Sequence, residues 1–216
     1  MRVGRDIYVE IDLKESDDQI YNNIAKATKD YLNTKFPKAM NDIENIIKIK
    51  IYDSITSSSE YISIINGKLK IELGLVDGQN RLQNILRTWI NSVGVKFIDF
   101  RISKSGFTGG IKVTAIRADY SDVLNLNDAV FTTEKGEILP WLAWLLTYGN
   151  DIVIADYQVK FGPSGRTGGG SMSLGGKWGI PPEYAGTSND NFVVRSINSI
   201  AKEIEKDISY KIKGVF

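Results

Sequence analysis

Apolar and polar residues follow two different periods along this chain, and the points where the period changes divide it into elements. From Arg5 to Leu13, Ile7, Val9 and Ile11 alternate with Tyr8, Glu10 and Asp12, the two-residue period of a half-buried strand, which predicts an arm or a sheet edge. Ser16-Asp17-Asp18 offers an N-cap, after which Ile20, Ile24, Ala27 and Tyr31 recur at helical spacing as far as Lys35. Pro37 interrupts the pattern, which resumes through Ile43, Ile46, Ile47, Ile51 and Ile55. The stretch is therefore one kinked helix or two helices in succession, closed by Ser57-Ser58-Ser59.

Tyr61 to Glu72 is rich in Ile and carries an Asn66-Gly67 turn, and Gly74 to Gly78 leads into a helix with Leu82, Ile85, Leu86, Trp89 and Ile90 on one face. Two strands follow, Val95–Ser103 and Gly110–Ala118, joined by Ser105-Gly106-Phe107-Thr108-Gly109. This predicts an antiparallel hairpin with a rather long loop. After a loop from Asp119 to Asp128, a short strand is expected at Ala129–Thr133 and a compact helix at Glu137–Tyr148, with Pro140 in its first turn and Gly149 as its stop.

Asp151 to Phe161 alternates again and predicts a third main strand, with a bulge near Asp156. Gly162 to Gly179 holds eight glycines in eighteen positions, which predicts a loop that is mobile or ordered by a partner. Asn191 to about Lys211 then repeats Phe192, Val193, Ile197, Ile200, Ile204 and Ile208 at helical spacing.

The fold class expected from these elements is α+β: an antiparallel β-sheet packed by helices, with a long helical N-terminal region and a C-terminal helix. Residues 1–60 form the strand and helical region, and residues 61–216 the core with its Gly-rich loop at 162–179.

Composition narrows the chemistry. The chain has no cysteine and no histidine, so neither disulfides nor thiolate metal sites hold it together, and the usual neutral-pH general base is missing. Its formal net charge of +1 gives no overall attraction to nucleic acid. The start of the sequence lacks an apolar h-region, and the densest apolar run, Trp141 to Leu146, falls far short of the ~20 residues that span a bilayer. No signal peptide, membrane span, cofactor or metal is expected.

Several constellations invite sharper readings. Gly162-Pro163-Ser164-Gly165-Arg166-Thr167-Gly168-Gly169-Gly170 suggests a phosphate cradle, but it lacks the Gly-Lys-Ser/Thr ending and a helix start directly after it. A loop in which Arg166 and Met172 order against a neighbouring subunit is the preferred reading. Asp119 with Asp122, or Asp151 with Asp156, could form an acid/base pair in a carboxylate-based enzyme; unmatched by a ligand motif, they read instead as loop ends or caps. Trp141, Trp144 and Leu145 lie on a helix apolar on several sides, which suits deep burial or a subunit contact. Lys104, Lys112, Arg117, Lys160 and Arg166 could face a DNA channel, but a solvated face is preferred.

The block Ile138-Leu139-Pro140-Trp141-Leu142-Ala143-Trp144-Leu145-Leu146, with Gly149-Asn150, the segment Gly162 to Gly168, Trp178-Gly179-Ile180-Pro181-Pro182-Glu183-Tyr184-Ala185-Gly186-Thr187 and Asn191-Phe192-Val193-Val194-Arg195, resembles virion neck proteins of tailed bacteriophages. Glu72 to Val76, Arg81-Leu82, Trp89 to Ser92 and Tyr120 to Leu124 look like the same group. The order of elements is similar to the tail-completion, or head-to-tail joining, family, and the similarity covers most of residues 70 to 200. The long helical N-terminal region and the long Gly-rich loop depart from compact members of that family.

The resemblance implies a structural, non-enzymatic subunit that forms a ring, a hexamer or dodecamer, beneath the portal. Its implied partners are further copies of itself, the portal-side adaptor, and tail terminator, tube or sheath proteins, with nonspecific DNA contact in the channel. The implied location is the virion neck, after assembly in the host cytoplasm. Trp141, Trp144, Leu145, Arg166, Met172, Phe192 and Arg195 are the expected interface residues: the first three anchor the short helix, Arg166 and its loop reach a neighbour, and Phe192 and Arg195 fix the last helix. A tail terminator or other tail-tube ring protein is the nearest alternative, ahead of a small hydrolase built on Asp119 and Asp122 or a DNA-binding module.

Overall fold

A computed structural model describes residues 15–104, 106–114, 119–133 and 136–214. The strand expected at Arg5–Leu13 lies outside them, as do the end of the expected strand at Ala115–Ala118 and Arg117 among the candidate DNA-facing cations.

The helical N-terminal region is one continuous helix, α1 (Asp17–Thr56), with Pro37 inside it. It starts where the cap signal placed it: Ser16 accepts from the Gln19 N–H, and the Gln19 side chain accepts from the Ser16 N–H, a reciprocal capping box. Pro37 has no N–H to give the Asn33 carbonyl, yet the helix runs through because both of its halves are held from outside. Ala39, Ile43, Ile47, Ile51 and Ile55 form a buried stripe on the C-terminal half, while Phe36 stacks against Phe97 and meets Phe100 edge-on.

Two short helices follow, α2 (Ser59–Asn66) and α3 (Lys68–Glu72). The Asn66-Gly67 turn is present, but it joins helices. The Ser63 hydroxyl accepts from the Leu69 N–H across it, and Ile64 and Leu69 are fully buried. Helix α4 (Gly78–Ser92) buries Leu82, Ile85, Leu86 and Trp89, the face read from the sequence.

Strands β1 (Gly94–Ser103) and β2 (Gly106–Thr114) pair antiparallel. The connection is shorter than expected: Ser103 pairs with Gly106, so Gly106 to Gly109, assigned to the loop, belong to β2. Then come α5 (Ser121–Leu124), a 3-10 turn (Asn127–Ala129), β3 (Phe131–Thr132) paired with β4 (Ile138–Leu139), and α6 (Trp141–Thr147). Helix α6 is shorter than Glu137–Tyr148 because Ile138 and Leu139 are drawn into pairing with β3, and it stops before Gly149, whose φ is +64°.

β5 (Ile152–Phe161) carries the expected bulge, with Asp156 at φ +63°. The main correction lies after it. Residues 170–179 are not loop but a ten-residue strand, β6 (Gly170–Gly179), antiparallel to β5. Local glycine content could not reveal this strand, because its pairing and its Trp178 anchor come from distant residues. α7 (Phe192–Lys213) closes the chain.

The architecture is α+β, with three separate two-stranded antiparallel ribbons on a helical body among the described residues. α1 is the spine, about 60 Å long at 1.5 Å per residue. α7 runs antiparallel to its C-terminal half: Lys211 pairs with Asp42 (2.8 Å), Lys50 with Asp207 (3.0 Å), and Ser54 Oγ–H donates to the Ser196 carbonyl (2.9 Å). The β1–β2 ribbon lies along the N-terminal half.

Candidate assembly interfaces

The resemblance points to α6, the Gly-rich stretch and the start of α7. Trp141 and Leu145 are wholly buried and Trp144 nearly so. Trp141 Nε1–H donates to the Asp128 carbonyl (2.9 Å), and Trp144 meets Trp178 edge-on, centroids 5.6 Å apart. These side chains anchor α6 inside their own subunit. A helix apolar on several sides is here a helix enclosed on several sides.

Phe192 is also core, meeting Trp89 edge-on at 6.4 Å. Arg195 does fix the last helix: its guanidinium bonds the buried Glu60 carboxylate (2.6 Å) and Asp190 (3.0 Å), tying α7 to α2. The residue that organises this junction is Asn191, fully buried. Its Oδ1 accepts from the Val193 and Val194 N–H groups, and its amide nitrogen donates toward Tyr120 Oη (2.7 Å), the Thr187 carbonyl (2.9 Å) and the Leu146 carbonyl (3.2 Å). A buried Asn with every polar group engaged fixes one arrangement of α5, α6 and α7. Its place one residue before an apolar helical run was the available signal.

Arg166 packs within its own chain. Its guanidinium carbon lies 3.6 Å from the centroid of the Phe131 ring. It also fills the space beside Gly74, whose φ of +64° and missing side chain admit it. Beyond this loop β6 begins, tied to α3 at both ends: Gly170 lies against Ile71, and Trp178 Nε1–H donates to Glu72 (3.3 Å). Between these anchors Gly175 and Gly176, both at φ +95°, break the register opposite Asp156. Paired bulges bend a ribbon and re-aim its side chains. Here Leu174 is 74% exposed, Ile152 57% and Phe161 54%, with Met172 also on the surface.

Compared with protein-family models, with curated proteins and with solved structures, the chain matches none.

The carboxylate and cradle readings gain no geometry. Asp119 caps its own loop, its Oδ1 accepting from the Ser121 N–H and hydroxyl. Asp122 lies in α5 with both oxygens buried and no hydrogen-bond partner among the described residues. No group of metal-ligating side chains occurs among the described residues. The Gly-rich segment runs into a strand, so no helix N-terminus converges on an anion there. A cleft of about 360 Å³ between α1, α2 and α7 is lined by serines, Glu60 and Arg195. Most of its hydroxyls are engaged within the chain: Ser54 donates to the Ser196 carbonyl, Ser57 to the Asp53 carbonyl, Ser58 to the Ile55 carbonyl, Ser199 to the Ser196 carbonyl, and Ser59 to Glu60. Among the described residues, no helix is long and apolar enough to cross a membrane.

Proposed function

We propose that this chain is a structural subunit of a tailed-phage neck, a tail-completion-type protein whose copies form a ring joining the portal-side adaptor to the tail. The observation that supports it best is the pair of long two-stranded ribbons, β1–β2 and β5–β6, each with an edge that no strand among the described residues covers and with exposed large apolar side chains, on a well-packed helical body. Open edges that a monomer leaves unprotected are templates for pairing with another chain. Exposed apolar residues on the same ribbons add the burial that stable association needs. Closed rings use two different faces of each subunit, and two separate ribbons supply two.

The experiment is the mass of the purified chain by light scattering, alone and mixed with the portal-side and tail-side proteins of the same particle. A closed ring, or a monomer that becomes a ring with those partners, is the expected result. Engagement of tube or sheath alone transfers the protein to a tail-terminator station, and a monomer indifferent to every partner removes the proposal.

A further inference from the structure

The β1–β2 ribbon has two faces of opposite character. Val95, Phe97 and Ile111 share the face toward α1 and are partly buried, with Phe97 stacked on Phe36. Their neighbours in the alternation point the other way. On that outer face Lys96 stands directly opposite Lys112, and both are exposed. Like charges facing each other across a ladder cost it stability, and neither lysine has a carboxylate partner among the described residues.

A third cation reaches this face through the bulge. β2 runs without interruption from Lys112 to Thr108, so these two share a face, whereas β1 spends an extra residue between Ile98 and Arg101, where Asn33 holds the Phe100 backbone. Counted from Phe97 without that residue, Arg101 would fall on the α1 face. With it, Arg101 stands opposite Thr108 on the outer face, exposed and again without a carboxylate partner among the described residues. Between the lysine pair and Arg101 lies Gly110, at φ +140°, with open space where a side chain would stand. A glycine at such a place leaves the strand backbone bare for close approach by another molecule.

The cations therefore lie in a row about 14 Å long, four β2 residues at about 3.4 Å each, with the exposed Thr108 and Thr114 beside them. Ile98 is the one large apolar side chain among the described residues of this face. Protein–protein interfaces are built around an apolar and aromatic centre, which such a face does not offer. Lysine, arginine, threonine and bare backbone are the groups that contact nucleic-acid phosphates. The row also advances in step with a duplex strand, whose rise is about 3.4 Å per nucleotide. With no aromatic ring among its described residues to stack a base, the face is suited to backbone contact.

We propose that the outer face of the β1–β2 ribbon binds the phosphate backbone of duplex nucleic acid without sequence preference, through Lys96, Lys112 and Arg101. The charge is concentrated on one face of a chain whose formal net charge is only +1. The proposal goes beyond the neck reading and does not depend on it.

The test is an NMR titration of the isotope-labelled full chain with short DNA duplexes of two unrelated sequences, at low and then rising salt, which reads binding weak enough for three contacts. Both duplexes should shift the amides of Lys96, Arg101, Gly110 and Lys112 and bind equally. Affinity should fall with salt at a log–log slope of about −2.7, from about −0.9 for each of three phosphates. Lys96→Gln/Lys112→Gln should weaken binding about tenfold or more and reduce the slope to about −0.9. Its urea midpoint should stay at or above that of the original chain, because the repulsion is gone. Lys160→Gln/Lys177→Gln removes two exposed cations from the β5–β6 ribbon and should bind as the original chain does. Absence of binding at low salt, shifts that map elsewhere, a preference for one sequence, or equal weakening by both lysine pairs would overturn the proposal. Poly-glutamate that binds as tightly as duplex DNA of equal charge would overturn it too, and would assign the face to an acidic protein.

Discussion

Asn33 brackets Phe100: its Oδ1 accepts from the Phe100 N–H at 2.7 Å, and its Nδ2 donates to the Phe100 carbonyl at 3.2 Å. Phe100 sits in the register shift of β1 between Ile98 and Arg101, where its backbone groups have no ladder partner on β2. One amide on α1 thus replaces the missing strand and sets the position of the β1–β2 ribbon along the spine. Asn33→Ala should cost about 2 kcal/mol, from two lost hydrogen bonds at roughly 1 kcal/mol each, measured by urea unfolding. Asn33→Asp should cost a similar amount, because a carboxylate keeps the acceptor and sets an oxygen against the Phe100 carbonyl.

Asn191 holds the other junction. Asn191→Ala removes the α7 cap, worth about 1 kcal/mol, and leaves the buried Tyr120 hydroxyl and the Leu146 carbonyl without their donor, adding about 1–3 kcal/mol. The expected loss is therefore about 2–4 kcal/mol by denaturant midpoint. Tyr120→Phe should cost less than Asn191→Ala, because Asn191 keeps its two carbonyl acceptors.

Burial raises the Glu72 carboxyl above its ordinary value of 4.5, against the opposing pull of Lys68 and of the Trp178 indole. In the interval above 4.5 the folded chain holds a proton that the unfolded chain has released. This contribution to stability is therefore lost as pH rises through the folded value and regained on acidification. Glu72→Gln should abolish that pH response and leave the chain at least as stable at pH 7, since an amide oxygen still accepts from Trp178. Urea midpoints at pH 5 and pH 7 for both proteins measure it.

The bent β5–β6 ribbon makes opposite predictions for two of its residues. Trp178 is buried against Trp144, and Trp178→Ala should cost about 3–5 kcal/mol. Leu174 is mostly in solvent, and Leu174→Ser should change monomer stability by no more than about 0.5 kcal/mol. Its effect should instead be on assembly, read as a weakened ring in the light-scattering experiment.

Elements with a local signal were legible along the chain. The Ser16 cap, the single apolar faces of α4 and α7, the alternation of β5 and its bulge at Asp156 each depend on residues within a turn or two of one another, so periodicity and capping chemistry suffice to place them. The seven residues expected at an interface were harder. Trp141, Trp144 and Leu145 carry the same apolar signature whether the enclosing surface comes from their own chain or another, and only packing against Asp128 and Trp178 shows that it is their own.

What the sequence by itself determined is the set of helices and strands whose stability is local, together with the absence of histidine and cysteine chemistry. Tertiary structure decided that Pro37 does not divide α1, that Gly170–Gly179 is a strand, and that Asn33 and Asn191 hold the junctions. In each case the deciding partner lies far away in sequence, Phe100 for Asn33, Tyr120 and Leu146 for Asn191, Glu72 and Trp144 for Trp178. Glycine and proline specify only what a backbone is free to do, and long-range contacts choose among those freedoms.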